Sequence, residues 1–462
     1  MSRKICLNLC VAFLMVLGTF LLAGCQETGQ SDKDVTISVG DWPRESDPRH
    51  AVYAKYVRIM KENYHITVVP EEWSYSTNSF LPRAAAGKLP TVFNTWFTEP
   101  QKIIAAGYAA DITAVLRKHG WDRELEPNIL RLVEKDGKIY GIPKESYLMG
   151  LMCNLKIFRV AGLVDAVGLP KIPQTYRELA QTAREIKDKT GCAGFLLETS
   201  GKGGGWHFMN IAWSFGAEFE KKIAGKWRAV FNSPPAVAAL QYVKDLKWKY
   251  RVLPDLIFID WSEGQELIAT DQCAMKFDIG FDHEGFYYVI NNYPMKKSDI
   301  AMGSIPAGPA GRVGLQGGDI YMFAPDATQD QVEAALRWLQ LLGYGPNLSR
   351  QDLKNKALAY QRDSASGYVV GNSGVPVWLH QAEVNRKIRD QYVNVDRALF
   401  REYLDFGRVR MHPEEPLNCQ ELYKILDNVI QAVLTDAKAD PQRLLDKAVA
   451  EFQTEYLDKS KR

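Results

Sequence analysis

From Val35 onward, short apolar runs alternate with helical stretches, and this alternation restricts the fold more than any other feature of the chain. Val35-Thr36-Ile37-Ser38-Val39 reads as a strand, Gly40-Asp41-Trp42-Pro43 as a loop, and residues 50–63 as a helix with Val52, Tyr56, Ile59 and Met60 at apolar positions. Ile66–Val69 is a second strand, Leu81–Ala86 is helix-like, Thr91–Phe93 is a third strand, and another helix begins at Gln101. Strands alternating with helices at this spacing predict parallel α/β construction. The pattern continues with a helix after Pro173, strands at Gly194–Leu197, Ala274–Phe277 and Ile320–Phe323, and helices over 234–250, 329–342, 418–436 and 440–456. Gly201-Lys202-Gly203-Gly204-Gly205 reads as a glycine-rich loop ahead of an aromatic-rich segment, Trp206 to Phe219.

The N-terminus follows other rules. Arg3 and Lys4 precede an apolar run from Val11 to Leu22, and Ala23-Gly24 lead to Cys25. A basic head, a short apolar core and a small-residue end mark an export signal, not a membrane anchor. Cysteine directly after Ala-Gly resembles the lipobox of bacterial lipoproteins, where cleavage exposes the cysteine and its thiol receives a diacylglycerol. The resemblance implies a signal over 1–24, lipid on Cys25, a polar tether over 25–34, and a cell-membrane location on the extracytoplasmic face. About two acyl chains are needed for stable anchoring, each buried methylene contributing ~0.8 kcal/mol. The bland alternative is plain secretion after a cut near Ala23.

Charge excludes one class of partner. The 57 basic residues lose Arg3 and Lys4 with the signal and then equal the 55 acidic ones, so no basic excess marks a nucleic-acid surface. No second apolar run has the length of a membrane span. Cys153, Cys192, Cys273 and Cys419 are widely spaced in apolar settings, unlike zinc ligands; buried free thiols are expected, with one or two disulfides as the alternative. No metal or cofactor is implied.

Several ordered segments resemble the extracellular solute-binding proteins of ABC importers, specifically the carbohydrate-binding family 1 of maltose-binding-protein type. Gly141-Ile142-Pro143, running to Cys153-Asn154-Leu155-Lys156-Ile157-Phe158, is similar to the family's G-[IL]-P…N-K-x-[LF]-F segment, with Leu155 interrupting the usual Asn-Lys. Pro173-Gln174-Thr175-Tyr176-Arg177-Glu178-Leu179 resembles P-x-T-[WY]-x-E-L, and Phe231-Asn232-Ser233-Pro234 resembles F-N-[SD]-P. Ala274-Met275 through Gly280-Phe281 looks like A-A-M-x-x-x-G-x-W, with phenylalanine in place of tryptophan. Pro306-Ala307-Gly308-Pro309 and Gly317-Gly318-Asp319 match the P-x-G-P…G-G region. The resemblance covers nearly all of 35–456. It implies a two-lobed, type II periplasmic-binding-protein-like α/β fold with a ligand cleft between lobes and three hinge crossings. By analogy, 35–146 and 314–365 form an N-lobe, 147–313 and 366–456 a C-lobe, and 457–462 a tail.

A sugar presents apolar C–H faces and a rim of hydroxyls, so its site needs flat rings and short polar groups. In α/β sheets, ligands sit beyond the carboxyl ends of strands. Those ends carry Asp41 and Trp42, Trp73, and Asn94 and Trp96. Glu145 and Tyr147 fall in the first hinge crossing, and Asp319 falls where the chain returns to the N-lobe. Trp206, after the glycines, is expected on a mobile arm, while Asp278, Phe281 and Asp282 follow a C-lobe strand. Lys and Arg interleaved with the tryptophans leave room for an acidic sugar.

Two other readings share these residues. A glycoside hydrolase needs two carboxyl groups about 5–9 Å apart across the cleft, and Asp278, Asp282 and Glu284 form a suggestive cluster. A sugar-sensing lipoprotein for a signalling complex would use the same cleft. The resemblance favours a binding protein without turnover, a monomer that takes an oligosaccharide and meets the transmembrane subunits of an ABC permease.

Overall fold

The computed structural model describes residues 34–47, 49–279, 284–371 and 374–459. The signal, Cys25 and all but the last residue of the tether lie outside the described residues, as do Phe281 and Asp282. Among the described residues, no helix is long and apolar enough to cross a membrane.

Eight strands make one curled sheet: β1 (Val35–Val39), β2 (Ile66–Pro70), β3 (Val92–Trp96), β4 (Gly141–Asn154), β5 (Met275–Ile279), β6 (Ile300–Ser304), β7 (Val313–Phe323) and β8 (Arg410–Pro413). The order is β6-β4-β7-β3-β1-β2, with β8 on β7 and β5 on β4. β1 runs parallel to β2 and β3, as the alternation predicts, whereas β7 runs antiparallel to β3 and β4.

β4 organises the molecule. Its first part pairs with β7 from Gly141 to Leu148, and its second part pairs with β5 and β6 from Met149 to Asn154. One strand thereby belongs to both lobes. Two apolar cores follow from this division. One gathers Ile37, Val39, Phe93, Ile142, Ile320 and Met322 under the helices α1 (Arg49–Tyr64), α2 (Phe80–Ala85) and α3 (Pro100–Ala105). The other surrounds Met149–Cys153 and Met275–Phe277 with α4 (Gly203–Phe215), α5 (Pro234–Trp248) and, later in the chain, α7 (Cys419–Thr435). Leu148, Val375 and Val409 form a third, small cluster beside the crossing.

Local signals account for the helix ends. Thr328 and Gln331 close a capping box at the start of α6 (Gln329–Leu341), Thr175 caps the helix Tyr176–Thr190, and Asn154 caps the turn that leaves β4. Where a strand is expected at Gly194–Leu197, the backbone forms only isolated bridges, Ala193 with Cys273 and Leu196 with Lys276, and no continuous strand. Trp378 falls within the segment expected in the C-lobe but packs in the first core, edge-on to Trp121 at 5.7 Å. Cys153, Cys273 and Cys419 are buried free thiols, and Cys192 is a half-buried one.

Candidate ligand-binding cleft

The site begins where β1 ends. Gly40 N–H donates to Val92 O, Asp41 N–H to Trp73 O and Trp42 N–H to Glu71 O, which fixes the loop against the neighbouring strands. Asp41 adopts a left-handed φ of 56°, a conformation aspartate tolerates better than most residues. Burial raises its pKa above the ordinary carboxyl value, although the Ser74 side chain and Lys144 favour the anion. Its Oδ2 is buried without a hydrogen-bond partner.

Strand register assembles the next group. Phe93 points into the core, so Asn94 and Trp96 fall on the opposite face of β3. Asp319 on β7 stands opposite Trp96 on one side and Glu145 on the other, and Tyr321 stands opposite Asn94. Directly opposed residues share a face; Trp96, Asp319 and Glu145 therefore form one row across three strands. Asn94 Nδ2 donates to Asp319 Oδ2 at 3.2 Å, and Lys144 Nζ reaches the same oxygen at 3.1 Å. Asn94 Oδ1 is buried and unpartnered. Trp96 is 37% exposed and meets the Tyr75 ring edge-on at 5.2 Å.

Gly317 and Gly318 let the hinge strands close on this row. A Cβ on Gly317 would lie 2.4 Å from the Tyr147 ring, and one on Gly318 would lie 2.2 Å from the Glu145 carbonyl oxygen. Trp206 meets Tyr147 edge-on at 6.2 Å, both rings packing on the second core, and the two side chains are hydrogen-bonded. Trp206 stands on the helix α4 and not on the mobile arm that the glycine run predicts. The Asp427 carboxylate accepts from Lys202 N–H at 2.7 Å and from Gly205 N–H at 2.9 Å. Each glycine is needed for packing: a Cβ on Gly203 would strike Glu198, one on Gly204 Asp427, and one on Gly205 the Tyr423 backbone at 2.4 Å. The glycine run thus seats a fixed helix.

Among the described residues, polar contacts cross between the lobes at three places. Lys202 Nζ donates to Thr77 Oγ1 at 3.3 Å, Gln420 Nε2 to Thr98 Oγ1 at 3.2 Å, and Lys102 pairs with Glu421 at 2.8 Å.

The remaining candidates lie deeper. Trp42 is 7% exposed, stacked on Trp338 at 5.7 Å and edge-on to Tyr53, within the first core. Trp73 is half-buried beneath the Arg83 guanidinium, its indole N–H donating to Ser79. Arg83 itself is salt-bridged to Glu71, as a helix-surface arginine is expected to be. Asp278 is buried, with Oδ2 3.2 Å from Lys276 Nζ and 2.9 Å from Gln265 Nε2. Burial works against the charge on Lys276, but Asp278 and Glu198 outweigh it and its pKa lies above the ordinary value. Beside them burial, with Lys276, lowers the His207 pKa to about 3, so that ring is neutral. Asp278 therefore serves a buried ion pair behind Trp206.

A cavity of about 480 Å³ opens elsewhere on the second lobe, between Leu169–Pro173, Glu178 and Arg401. It has no aromatic lining, and its Asp165 and Glu178 accept from backbone N–H groups. The convergent rings and unpartnered acceptors lie at the lobe junction instead, and the chemistry outweighs the volume. Among the described residues no group of three or more His, Cys, Asp or Glu is placed to hold a metal.

Residues 46–343 match the family described as bacterial extracellular solute-binding protein. The chain belongs to that family. A binding protein of Brucella abortus is 23% identical over 330 residues, spanning 71% of this solute-binding protein and 69% of that one. Among solved structures, maltose-bound T. maritima MalE3 shares 19% identity at a TM-score of 0.66, covering 91% of this chain and 99% of that one. Lmo0181 from Listeria monocytogenes, in complex with cycloalternan, shares 15% at 0.68, covering 92% and 99%. UgpB from Mycobacterium tuberculosis, in complex with glycerophosphocholine, shares 13% at 0.66, covering 91% and 98%. These likenesses establish the two-lobed fold of solute-binding proteins, and the family and its fold neighbours are binding proteins.

Proposed function

We propose that this solute-binding protein captures an extracellular saccharide between its lobes and delivers it to an ABC permease, held at the membrane by lipid on Cys25. The observation that carries the reading is the row Trp96–Asp319–Glu145, flanked by Asn94, Asp41 and Tyr147, with Trp206 in contact with Tyr147. Flat rings suit the C–H faces of a sugar. The orphaned acceptors Asp41 Oδ2 and Asn94 Oδ1 suit its hydroxyls, because a buried acceptor left without a donor costs about 1–3 kcal/mol. Saccharides in several fold neighbours, maltose and cycloalternan among them, agree with that chemistry.

Capture works by closure. A ligand touching both lobes favours the closed arrangement by its differential affinity for the two states and no more. The contacts Lys202–Thr77, Gln420–Thr98 and Lys102–Glu421 join the two lobes directly and add to a closed form. A lipid tether keeps the protein near its permease and raises the effective concentration there.

Calorimetry against a panel of oligosaccharides tests the reading. W96A and W206A should each weaken the hit at least about tenfold, ~1.4 kcal/mol. Unchanged affinity in both refutes the placement of the pocket. Loss of membrane association in C25A, with loss of palmitate labelling, tests the anchor.

A further inference from the structure

Charge at the cleft narrows the class of saccharide, an inference that rests on the saccharide-binding reading above. Asp41, Glu145, Asp319 and Glu414 stand within electrostatic reach of one another through a shared neighbour, Asp319. Glu414 comes from the second lobe, just after β8, and is 6% exposed. It accepts from the Tyr423 hydroxyl at 2.7 Å and lies near Glu99 of the first lobe.

Two cations act on this group, and both are taken. Lys144 lies 3.1 Å from Asp319 and 3.9 Å from Glu145. Arg49 holds Asp47 through its guanidinium, with Nε 2.9 Å from Oδ2. Farther round, Lys102 is paired with Glu421, and Lys276 with Glu198 and Asp278. Lys202, at the lobe junction, donates to the Thr77 hydroxyl. Carboxyl groups outnumber cations at the centre, and the protein answers by holding protons. Burial, aided by Glu99 and Asp319, pushes Glu414 up to about 8. The proton on Glu414 occupies the place of a missing positive charge. Burial also raises Asp41 above the ordinary carboxyl value, although Ser74, Lys144 and Arg49 favour its anion. Independently of charge, Asp41 Oδ2 is buried with no donor.

We propose that the ligand is a saccharide carrying a protonated amine, an amino sugar or an oligomer of one, and not a uronic acid or a phosphorylated sugar. An ammonium group donates up to three charge-assisted hydrogen bonds to carboxylates and supplies the charge that Lys144 alone does not. A carboxylate or phosphate on the ligand would meet Asp41, Glu145 and Asp319 with no uncommitted cation among the described residues of the row to receive it. Of the cations named here, Lys144, Arg49, Lys102 and Lys276 are each paired with carboxylates, and Lys202 meets the neutral Thr77 hydroxyl.

The test is calorimetry of the purified chain against matched series on gluco and galacto scaffolds, each supplied as the amino, N-acetylamino, hydroxyl and uronate oligomer. At pH 6.5 and low salt the amino form should bind at least tenfold tighter than its hydroxyl counterpart, and the preference should shrink as salt screens it. E145Q should reduce the amino-to-hydroxyl ratio at least threefold, with an unchanged circular dichroism spectrum. Equal or tighter binding of the hydroxyl or uronate form overturns the charge inference and leaves saccharide capture standing. Binding of no member of either series overturns both.

Discussion

Replacing Glu414 by glutamine tests whether the lobe junction holds an un-ionised carboxyl group. Burial, reinforced by Glu99 and Asp319, outweighs the Tyr423 hydroxyl that favours the anion, and the pKa rises from 4.5 to about 8. The folded chain therefore keeps this proton to about pH 8, while the unfolded chain releases it near 4.5. Stability from the group is complete below the unfolded value and is lost as pH rises through the folded one. Each pH unit inside that window costs about 1.4 kcal/mol per proton, so between pH 5 and 7.5 the wild type loses ~3 kcal/mol through Glu414 alone. Glutamine keeps the shape and the acceptor oxygen for Tyr423 but never ionises. E414Q should match the wild type near pH 5 and exceed it by ~3 kcal/mol at pH 7.5. Glu415 and Glu220, which burial pushes up to about 8 and about 9, add to the slope of both proteins and largely cancel in the comparison. Urea unfolding followed by circular dichroism at pH 5, 6, 7 and 8 supplies the measurement. A stability difference that does not change with pH would refute the protonated state.

Other substitutions probe the seating of α4 and the thiols. G205A would gain about 1 kcal/mol from helix propensity alone, but the Cβ meets the Tyr423 backbone at 2.4 Å. Overpacking of ~1–3 kcal/mol should prevail and lower the urea midpoint; a stabilised variant would contradict the packing of α4 on α7. D427A removes the acceptor for Lys202 and Gly205 N–H and should cost ~1–2 kcal/mol, read by the same assay, with wild-type stability as the contrary result. Cys192 should be the first of the four mapped thiols to react with a disulfide reagent under native conditions. Burial raises the pKa of Cys153, Cys273 and Cys419, which should react only on unfolding; early labelling of Cys273 in peptide maps would count against this.

Much of the fold is legible because burial follows simple periods. β1 occupies the expected 35–39, and α1, α6 and α7 extend within a few residues of their expected ranges, since each carries a regular apolar face. The site is less legible, for three physical reasons. β4 and β7 are long strands whose central polar residues, Lys144 to Tyr147 and Gln316 to Asp319, interrupt the apolar runs that mark a strand. Gly203–Gly205 imitates a flexible loop; the glycines are small because Glu198, Asp427 and Tyr423 press against the helix, a contact no local pattern encodes. Trp42 and Trp96 both follow strands, yet one stacks in the core on Trp338 and the other remains exposed, because distant α6 covers only the first. Lys144 and Glu414 carry little local signal: a lysine beside Glu145, and the acidic pair Glu414-Glu415 in a proline-flanked stretch, are the hints the sequence holds.

An uninterrupted ribbon of fourteen residues, β4, is hydrogen-bonded to partners in both halves of the molecule. Rotation of one half against the other must twist it near the change of partners between Leu148 and Met149, as it must twist β7, whose Val313 and Leu315 lie in the second core and Ile320 to Phe323 in the first. Tyr147, which touches Trp206, stands beside that fulcrum. On the proposed function, the same short stretch of backbone would both feel the ligand and turn the molecule, with no relay of side chains in between.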